Sequence, residues 1–216
     1  MRVLVTAGPT QEKFDPVRYI SNHSTGKMGY AIARAAMLRG ADVTLVSGKV
    51  SIPSPAGVNM VPVVSAADMA QAVKASAGEQ DIIIKAAAVA DYRPVVTADE
   101  KMKKKDGELT VALERTEDIL AYLGAHRKDD QFICGFSMET EHMLENSRAK
   151  LEKKNIDMIV ANNLRQEGAG FGTDTNVVTL LTKEETLELP ILSKEEVADR
   201  LLTFILHKLG KKAEIA

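Results

Sequence analysis

One cysteine, Cys134, in 216 residues leaves no partner for an intramolecular disulfide and excludes a cysteine-rich metal site. Such sparse use of cysteine points to a reducing, cytoplasmic setting. Four histidines, His23, His126, His142 and His207, form no HExxH or other ligand spacing. No metal site built from protein side chains is therefore expected. Neither sign of charge dominates: 28 Lys and Arg stand against 30 Asp and Glu, for a formal charge of −2. That balance offers no general attraction for nucleic acid or an anionic membrane, so neither is expected as a partner. No apolar run approaches the roughly 18 residues of a membrane span. The opening Val3–Val5 reads as a short strand and not as a signal peptide. Two nucleotide-binding signatures are also missing. There is no GxGxxG, and Gly26-Lys27 is followed by Met28, which has no hydroxyl for the magnesium of a P-loop.

What is present is ordinary globular composition, 45% hydrophobic and 27% charged, enough for one sizeable domain over residues 1–216. Apolar, β-branched Arg2–Thr6 predicts a strand. Lys27–Arg39, with Met28, Ile32, Ala35 and Ala36 at helical spacing, predicts a helix stopped by Gly40. Asp42–Ser47 follows as a strand, and a βαβ unit implies a parallel sheet. Further strands are expected at Asn59–Val64, Asp81–Lys85, Glu108–Glu114, Gln131–Phe136 and Asp157–Asn162. Helices are expected at Ala66–Ser76, from Glu117 to Tyr122, and at Glu139–Lys154. Asn176–Thr182 with Thr186–Pro190 reads as a hairpin, and Ser193–Leu209 as a closing helix. The expected class is α/β: a Rossmann-like, mostly parallel sheet with helices on both faces and an antiparallel extension.

The polar stretches follow predicted strands, where open parallel sheets bind ligands. The first runs from Gly8 to Gly29, far longer than the roughly 2–6 residues of a plain βα turn. Ser21, Asn22, Ser24 and Thr25 precede the helix, and Gly26 and Gly29 lie in its first turn. Free N–H groups beside small residues make an anion site. Capping by Ser24 or Thr25 needs only one such residue, and Arg18 and His23 add to the excess. The second stretch, Lys85–Pro94 (KAAAVADYRP), ends a buried strand in Ala86, Ala87 and Ala88. Small side chains there suit either a flat ligand or helix–sheet packing, and Asp91 can accept hydrogen bonds from a base or ribose. The third places Lys101, Lys103, Lys104 and Lys105 in five residues, either a solvated face or a cationic loop that closes over a polyphosphate. Gly168–Asn176 (GAGFGTDTN) reads as a turn.

These segments together carry a resemblance. GPTQEKFDPVRYISNHSTGKMG, KAAAVADYRP, EKMKKK, Gly135-Phe136, KNIDMIVAN at Lys154–Asn162 and GFGTDTN, in that order over nearly the whole chain, resemble bacterial phosphopantothenoylcysteine synthetase. In many bacteria that enzyme is the C-terminal half of a bifunctional coenzyme A biosynthesis protein, fused to a flavin-dependent decarboxylase. The resemblance implies a ligase. CTP, with Mg²⁺, activates 4′-phosphopantothenate as an acyl-cytidylate and releases pyrophosphate, and the amine of L-cysteine then displaces CMP.

By position, Asn22 matches the asparagine that holds the acyl-cytidylate, Arg18 an active-site arginine, and Lys101 the lysine of the first half-reaction. Lys85, Ala86, Ala87, Asp91, Glu117, Asp118, Ile119, Leu120, Phe136, Lys150 and Lys154 fall where members hold the nucleotide. Ser21, Asn22, Ser24, Thr25, Gly26, Ala87 and Ala88 are the phosphate and substrate candidates. Thr116-Glu117-Asp118 stands where members often read Asn-Pro-Asp. The resemblance also implies a homodimer, with the Arg18–Asn22 segment expected near its interface. In Val95–Asp106 the lysines repel one another and only Ala98 and Met102 are apolar past Val96, so this loop is expected to be disordered or mobile without nucleotide and to close over the triphosphate when CTP binds. Two other classes are weighed. A short-chain dehydrogenase using NADP needs Tyr-x-x-x-Lys, but His23, Arg34, Val96 and His126 stand four residues after the four tyrosines. A non-catalytic nucleotide-binding subunit has no need of Arg18, Asn22 and Lys101 together.

Overall fold

The computed structural model describes residues 1–104, 106–139, 142–163, 170 and 172–210. In chain order its elements are β1 (Arg2–Ala7), β2 (Gln11–Lys13), β3 (Tyr19–Ser21), α1 (Lys27–Leu38), β4 (Asp42–Ser47), β5 (Asn59–Pro62) and α2 (Ala66–Ala77). Then come β6 (Ile82–Lys85), β7 (Tyr92–Pro94), β8 (Leu113–Arg115), α3 (Ile119–Ala125), β9 (Phe132–Glu139) and α4 (Met143–Lys153). The chain continues through β10 (Met158–Asn163), β11 (Thr175–Asn176), β12 (Val178–Leu181), β13 (Thr186–Glu188), β14 (Leu192–Ser193) and α5 (Lys194–Lys208).

Eight strands form one sheet in the order β13-β12-β10-β9-β6-β1-β4-β5. Its six central and right-hand strands are parallel, and β12 and β13 extend it antiparallel beyond β10. The expected class is thus present. Alternate side chains divide the core between the two faces. Val3, Val5, Ile82 and Ile84 pack with Ile32 and Ala36 of α1 and Val197, Leu201 and Ile205 of α5. Leu4, Ile83, Ile133 and Ile159 face the other way, onto Met69 and Val73 of α2, Leu123 of α3 and Leu151 of α4. Burial on both faces explains why these strands read as continuous apolar runs.

The chain leaves β1 rightwards to β4 and β5, then returns to β6 on the other side of β1. Connections therefore diverge between β1 and β6, and a crevice opens at their carboxyl ends. Gly29 seats α1 directly on β1: a Cβ there would lie 2.5 Å from the Ala7 Cβ and 2.9 Å from the Thr6 carbonyl oxygen.

Three expectations are corrected. The 108–114 strand shrinks to Leu113–Arg115, which pairs with β7 as a separate ribbon. All three of its residues are exposed, so its alternation had no core face to report. Asn176 pairs with Leu192, not within the β12–β13 hairpin. The long polar insertion after β1 contains a hairpin of its own, β2 with β3, which the 3.6- and 2-residue periodicities did not reveal because its strands are only three residues each. The expected helix start at Glu139 is also corrected: β9 runs through Glu139 and the described helix begins at Met143; Lys105 and residues 168, 169 and 171 of the Gly168–Asn176 turn lie outside the described residues.

Candidate functional site

The crevice at the β1–β6 divergence is a cleft of about 400 Å³. Its floor is the end of β6, Lys85 to Val89, with Phe136 to Met138 from β9 and Asn162 from β10. Its wall is the start of α1, from Ser24 to Gly29. A second chamber of about 350 Å³ adjoins it, formed by Arg115–Ile119, Tyr92 and Lys154. Lys85, Val89 and Asp91 line both, so the two chambers meet at these three residues.

The start of α1 does not use the capping that the sequence offered as an alternative. Gly26 occupies the capping position in a left-handed conformation (φ 79°), and no side chain caps the helix. The Ser24 hydroxyl accepts only the Gly26 N–H, at 3.4 Å. The first turn holds no acidic residue. Amide hydrogens of that turn and the positive end of the helix dipole therefore serve the cleft, where an anion would satisfy them.

Two buried threonines shape the alanine stretch, a role not read from sequence. Thr6 accepts the Ala87 N–H at 3.1 Å, and Thr10 accepts that of Ala90 at 2.9 Å. Both are fully buried. Ala88 donates to the Gly8 carbonyl at 3.0 Å, and its own carbonyl accepts from Thr10 N–H and from Asn22 Nδ2, the latter at 2.9 Å. Asn22 is thereby held at the cleft edge with its amide oxygen left for other donors. Thr116 closes the second chamber: its hydroxyl donates to the Ala90 carbonyl at 2.6 Å and its N–H to the Asp91 carbonyl at 3.0 Å.

Electrostatics centre on Lys85. Burial pulls its ammonium down from the usual 10.5 to about 8, with help from the Lys154 charge, while Asp118 and Asp91 oppose the change. Among the described residues none makes a hydrogen bond to this ammonium. Lys154 is held by Asp118 at 3.0 Å, and Asp118 also caps α3 by accepting the Ala121 N–H at 3.0 Å. Burial works to raise the Asp118 pKa, but that N–H and Lys154 prevail and leave it lowered.

Of the residues singled out from sequence, Asn22, Ser24, Thr25, Gly26, Lys85, Ala86, Ala87, Ala88, Asp91 and Phe136 line the main cleft. Glu117, Asp118, Ile119 and Lys154 line the second chamber, with Lys85 and Asp91 shared. The Glu117 carboxylate is drawn off by Lys74, with a 2.5 Å ion pair. Arg18, Ser21, Lys101, Leu120 and Lys150 line neither chamber. Ser21 closes its hairpin by donating to the Thr10 carbonyl at 2.7 Å. Leu120 turns into the core, 5% exposed, because the helical rotation that leaves Ile119 beside the chamber points its neighbour at β9. Lys150 lies 3.4 Å from the hydroxyl of Ser137, which itself lines the cleft. The Arg18 guanidinium is turned to Asp15 and the Met102 carbonyl, and Lys101 is exposed beside that contact.

Sequence reasoning missed Lys27, Ser137, Asn162, Asn176 and Lys194, all of which line the cleft. Lys27 Nζ donates to Asp174 at 2.6 Å and to the Gly172 carbonyl at 3.0 Å. Lys194, 5% exposed, donates to the carbonyls of Gly170 and Thr173. Asn176 Nδ2 donates to Asn162 Oδ1 at 3.3 Å. These residues come from separate parts of the chain, residues 27 to 194, and no local spacing signals their approach. The described residues contain no group of three or more His, Cys, Asp or Glu that could hold a metal ion, and no helix long and apolar enough to cross a membrane.

Comparison with known proteins bears on the same cleft. Residues 1–209 match the DNA/pantothenate metabolism flavoprotein C-terminal domain. The chain is 51% identical over 202 residues to the coenzyme A biosynthesis bifunctional protein CoaBC of Bacillus subtilis (strain 168), covering 93% of this chain and 50% of that protein. It is 47% identical over 210 residues to the protein of the same name from Vibrio vulnificus (strain YJ016), covering 96% and 52%. The chain thus spans about half the length of these relatives. A crystal structure of the C-terminal domain of a coenzyme A biosynthesis bifunctional protein CoaBC superposes with a TM-score of 0.82 at 45% identity, over 97% of this chain and 95% of that one. The chain belongs to the DNA/pantothenate metabolism flavoprotein C-terminal domain family.

Proposed function

We propose that this chain is a phosphopantothenate–cysteine ligase of coenzyme A biosynthesis. It would join 4′-phosphopantothenate to L-cysteine through an acyl-cytidylate made from CTP. The observation that carries the reading is the pair of chambers meeting at Lys85, Val89 and Asp91. A two-step acyl transfer needs a nucleotide and an acid held side by side, with water kept out between steps. The kinship to proteins named for coenzyme A biosynthesis supports a role in that pathway.

In this reading the second chamber takes the cytidine, against Asp118, Ile119 and Lys154, and the main cleft takes phosphopantothenate. A carboxylate oxygen attacks the α-phosphorus of CTP, a P–O bond forms, and pyrophosphate leaves. The amine nitrogen of cysteine then attacks the acyl carbon, the C–O bond to CMP breaks, and one proton is released. Lys85 and the uncapped start of α1 stabilise the negative charge that moves through the junction. Asn22, fixed on the Ala88 carbonyl, holds the acyl intermediate for the second step. Magnesium would arrive with the triphosphate. The donor set fits a hard cation held mainly by phosphate oxygens and water, with Asp91 as a single nearby carboxylate. When bound it neutralises phosphate charge.

A homodimer and a flavin-dependent decarboxylase, as a fused domain or a separate protein, complete the proposal. The dimer is supported by the unusually exposed apolar side chains of the two small hairpins: Val17, Tyr19 and Ile20 on one, Tyr92 and Leu113 on the other. The deciding experiment is pyrophosphate release with CTP, magnesium and 4′-phosphopantothenate, cysteine withheld. Release dependent on both substrates is expected; release with cysteine absent but phosphopantothenate also absent, or none at all, would refute the reading.

A further inference from the structure

The β2–β3 hairpin has two unlike ends. Its inner end is fastened at the cleft: the Gln11 N–H donates to the Val64 carbonyl at 2.8 Å, Ser21 closes on Thr10, and Asn22 reaches the Ala88 carbonyl. Its outer end carries Asp15, 1% exposed although charged. One carboxylate oxygen of Asp15 accepts the N–H groups of Val17 and Arg18, at 2.8 and 2.7 Å. The other accepts two guanidinium N–H groups of Arg18 and, at 3.2 Å, the N–H of Met102. Arg18 then donates to the Met102 carbonyl at 2.9 Å. One residue of the lysine-rich loop, Met102, is thus gripped at both its N–H and its carbonyl by an ion pair whose carboxylate is buried and whose guanidinium is half-exposed. The approach to that unit is also tied: the Ala98 N–H donates to the Phe14 carbonyl at 3.0 Å, and the Thr97 hydroxyl to the Lys13 carbonyl at 3.1 Å. Lys101 and Lys103 flank the gripped residue.

A buried carboxylate needs donors to offset its lost hydration, and Asp15 draws one of them from a distant loop, which a hairpin turn of this length does not itself require. We propose that Asp15 is a positioning residue. It fixes the Met102 peptide, so that the rigid hairpin sets Lys101 and Lys103 at a constant distance from Asn22 at its other end. Three residue steps, about 10 Å of extended chain, lead from Arg18 to Ser21. One short element thereby spaces a candidate amide for the acyl group against candidate cations for the polyphosphate. This inference rests on the ligase reading for its purpose but not for its geometry.

The test uses the full chain with two variants, Asp15→Ala and Met102→Pro. The second removes the loop's N–H, restricts φ at 102 and the backbone of Lys101, and leaves both side chains of the Asp15–Arg18 pair in place. Amide hydrogen exchange in the absence of ligand should accelerate at least tenfold over residues 97–104 in both variants, with the 11–21 hairpin still protected in Met102→Pro. In steady state both should raise KM for CTP at least tenfold and leave KM for cysteine within twofold, a split that general loss of folding does not produce. Unchanged loop exchange in Met102→Pro, or wild-type exchange already as fast as an open chain, would overturn the proposal. Should Asp15→Ala melt the hairpin, Met102→Pro decides alone. A wild-type protein that releases no pyrophosphate would sink the ligase reading, while the exchange measurement still judges the latch.

Discussion

Replacing Lys85 by methionine tests the electrostatic heart of the site, because the same buried ammonium should weaken the fold and strengthen the binding of anions. The side chain keeps its length and loses its charge. A lysine that ordinarily titrates near 10.5 does so here at about 8 because burial removes its hydration. At about 1.4 kcal/mol for each pH unit, that difference corresponds to about 3 kcal/mol of stability lost by holding the charge in the folded chain. The folded-state pKa is lowered, so the unfolded chain binds more protons between about 8 and 10.5. The cost is therefore complete below about pH 8 and disappears as pH rises towards 10.5. Near pH 7, Lys85→Met should be more stable than the wild type by up to about 3 kcal/mol in urea unfolding. Near pH 9.5 that gain should shrink to about half. Calorimetric titration with CTP should show the opposite cost, roughly 10- to 100-fold weaker binding, the scale of one lost charge-assisted hydrogen bond. A variant no more stable than wild type near pH 7, or equally stabilised at both pH values, would refute the account of Lys85 as a desolvated cation. Unchanged CTP affinity would remove it from the nucleotide site.

Four further outcomes are expected. Lys101→Gln should suppress pyrophosphate release by at least ~100-fold, on the scale of one electrostatic stabiliser. Asn22→Asp sets a carboxylate against the Ala88 carbonyl and should still release pyrophosphate but accumulate acyl-cytidylate, read by mass spectrometry of quenched mixtures; equal loss in both variants would abolish this division of labour. Gly29→Val places branched carbon where even a Cβ would stand 2.5 Å from Ala7, and should cost at least about 1–3 kcal/mol by thermal unfolding. Sedimentation at micromolar concentration should show a dimer that Tyr19→Lys with Tyr92→Lys converts to monomer; a wild-type monomer with full activity would exclude the hairpins as an interface.

Much of the architecture is written in short-range pattern. The isoleucines of β6, the alternation of apolar strands with amphipathic helices, and Gly40 after α1 are each local features, and together they require a parallel sheet with ligands at its carboxyl edge. Lys85 and Asp91 reach the chambers because they sit at or just after the end of β6, which chain order alone predicts; Asp118 and Lys154 arrive at helix ends, Asn22 after a strand too short to read, and Phe136 from within β9. Tertiary structure decided the rest. Whether Arg18 faces substrate or Asp15 depends on a loop 84 residues further along the chain, to whose Met102 carbonyl it donates. Lys27 meets Asp174 across 147 residues, and Lys194 enters the cleft only because α5 packs on α1. The three-residue strands of the hairpins are mostly exposed, with at most one buried residue each, and too short to carry a readable period. Local sequence encodes which way a side chain points along its own helix or strand; which charge finds which partner is fixed only when distant elements pack, because the desolvation that makes such pairs selective does not exist until the core has closed around them.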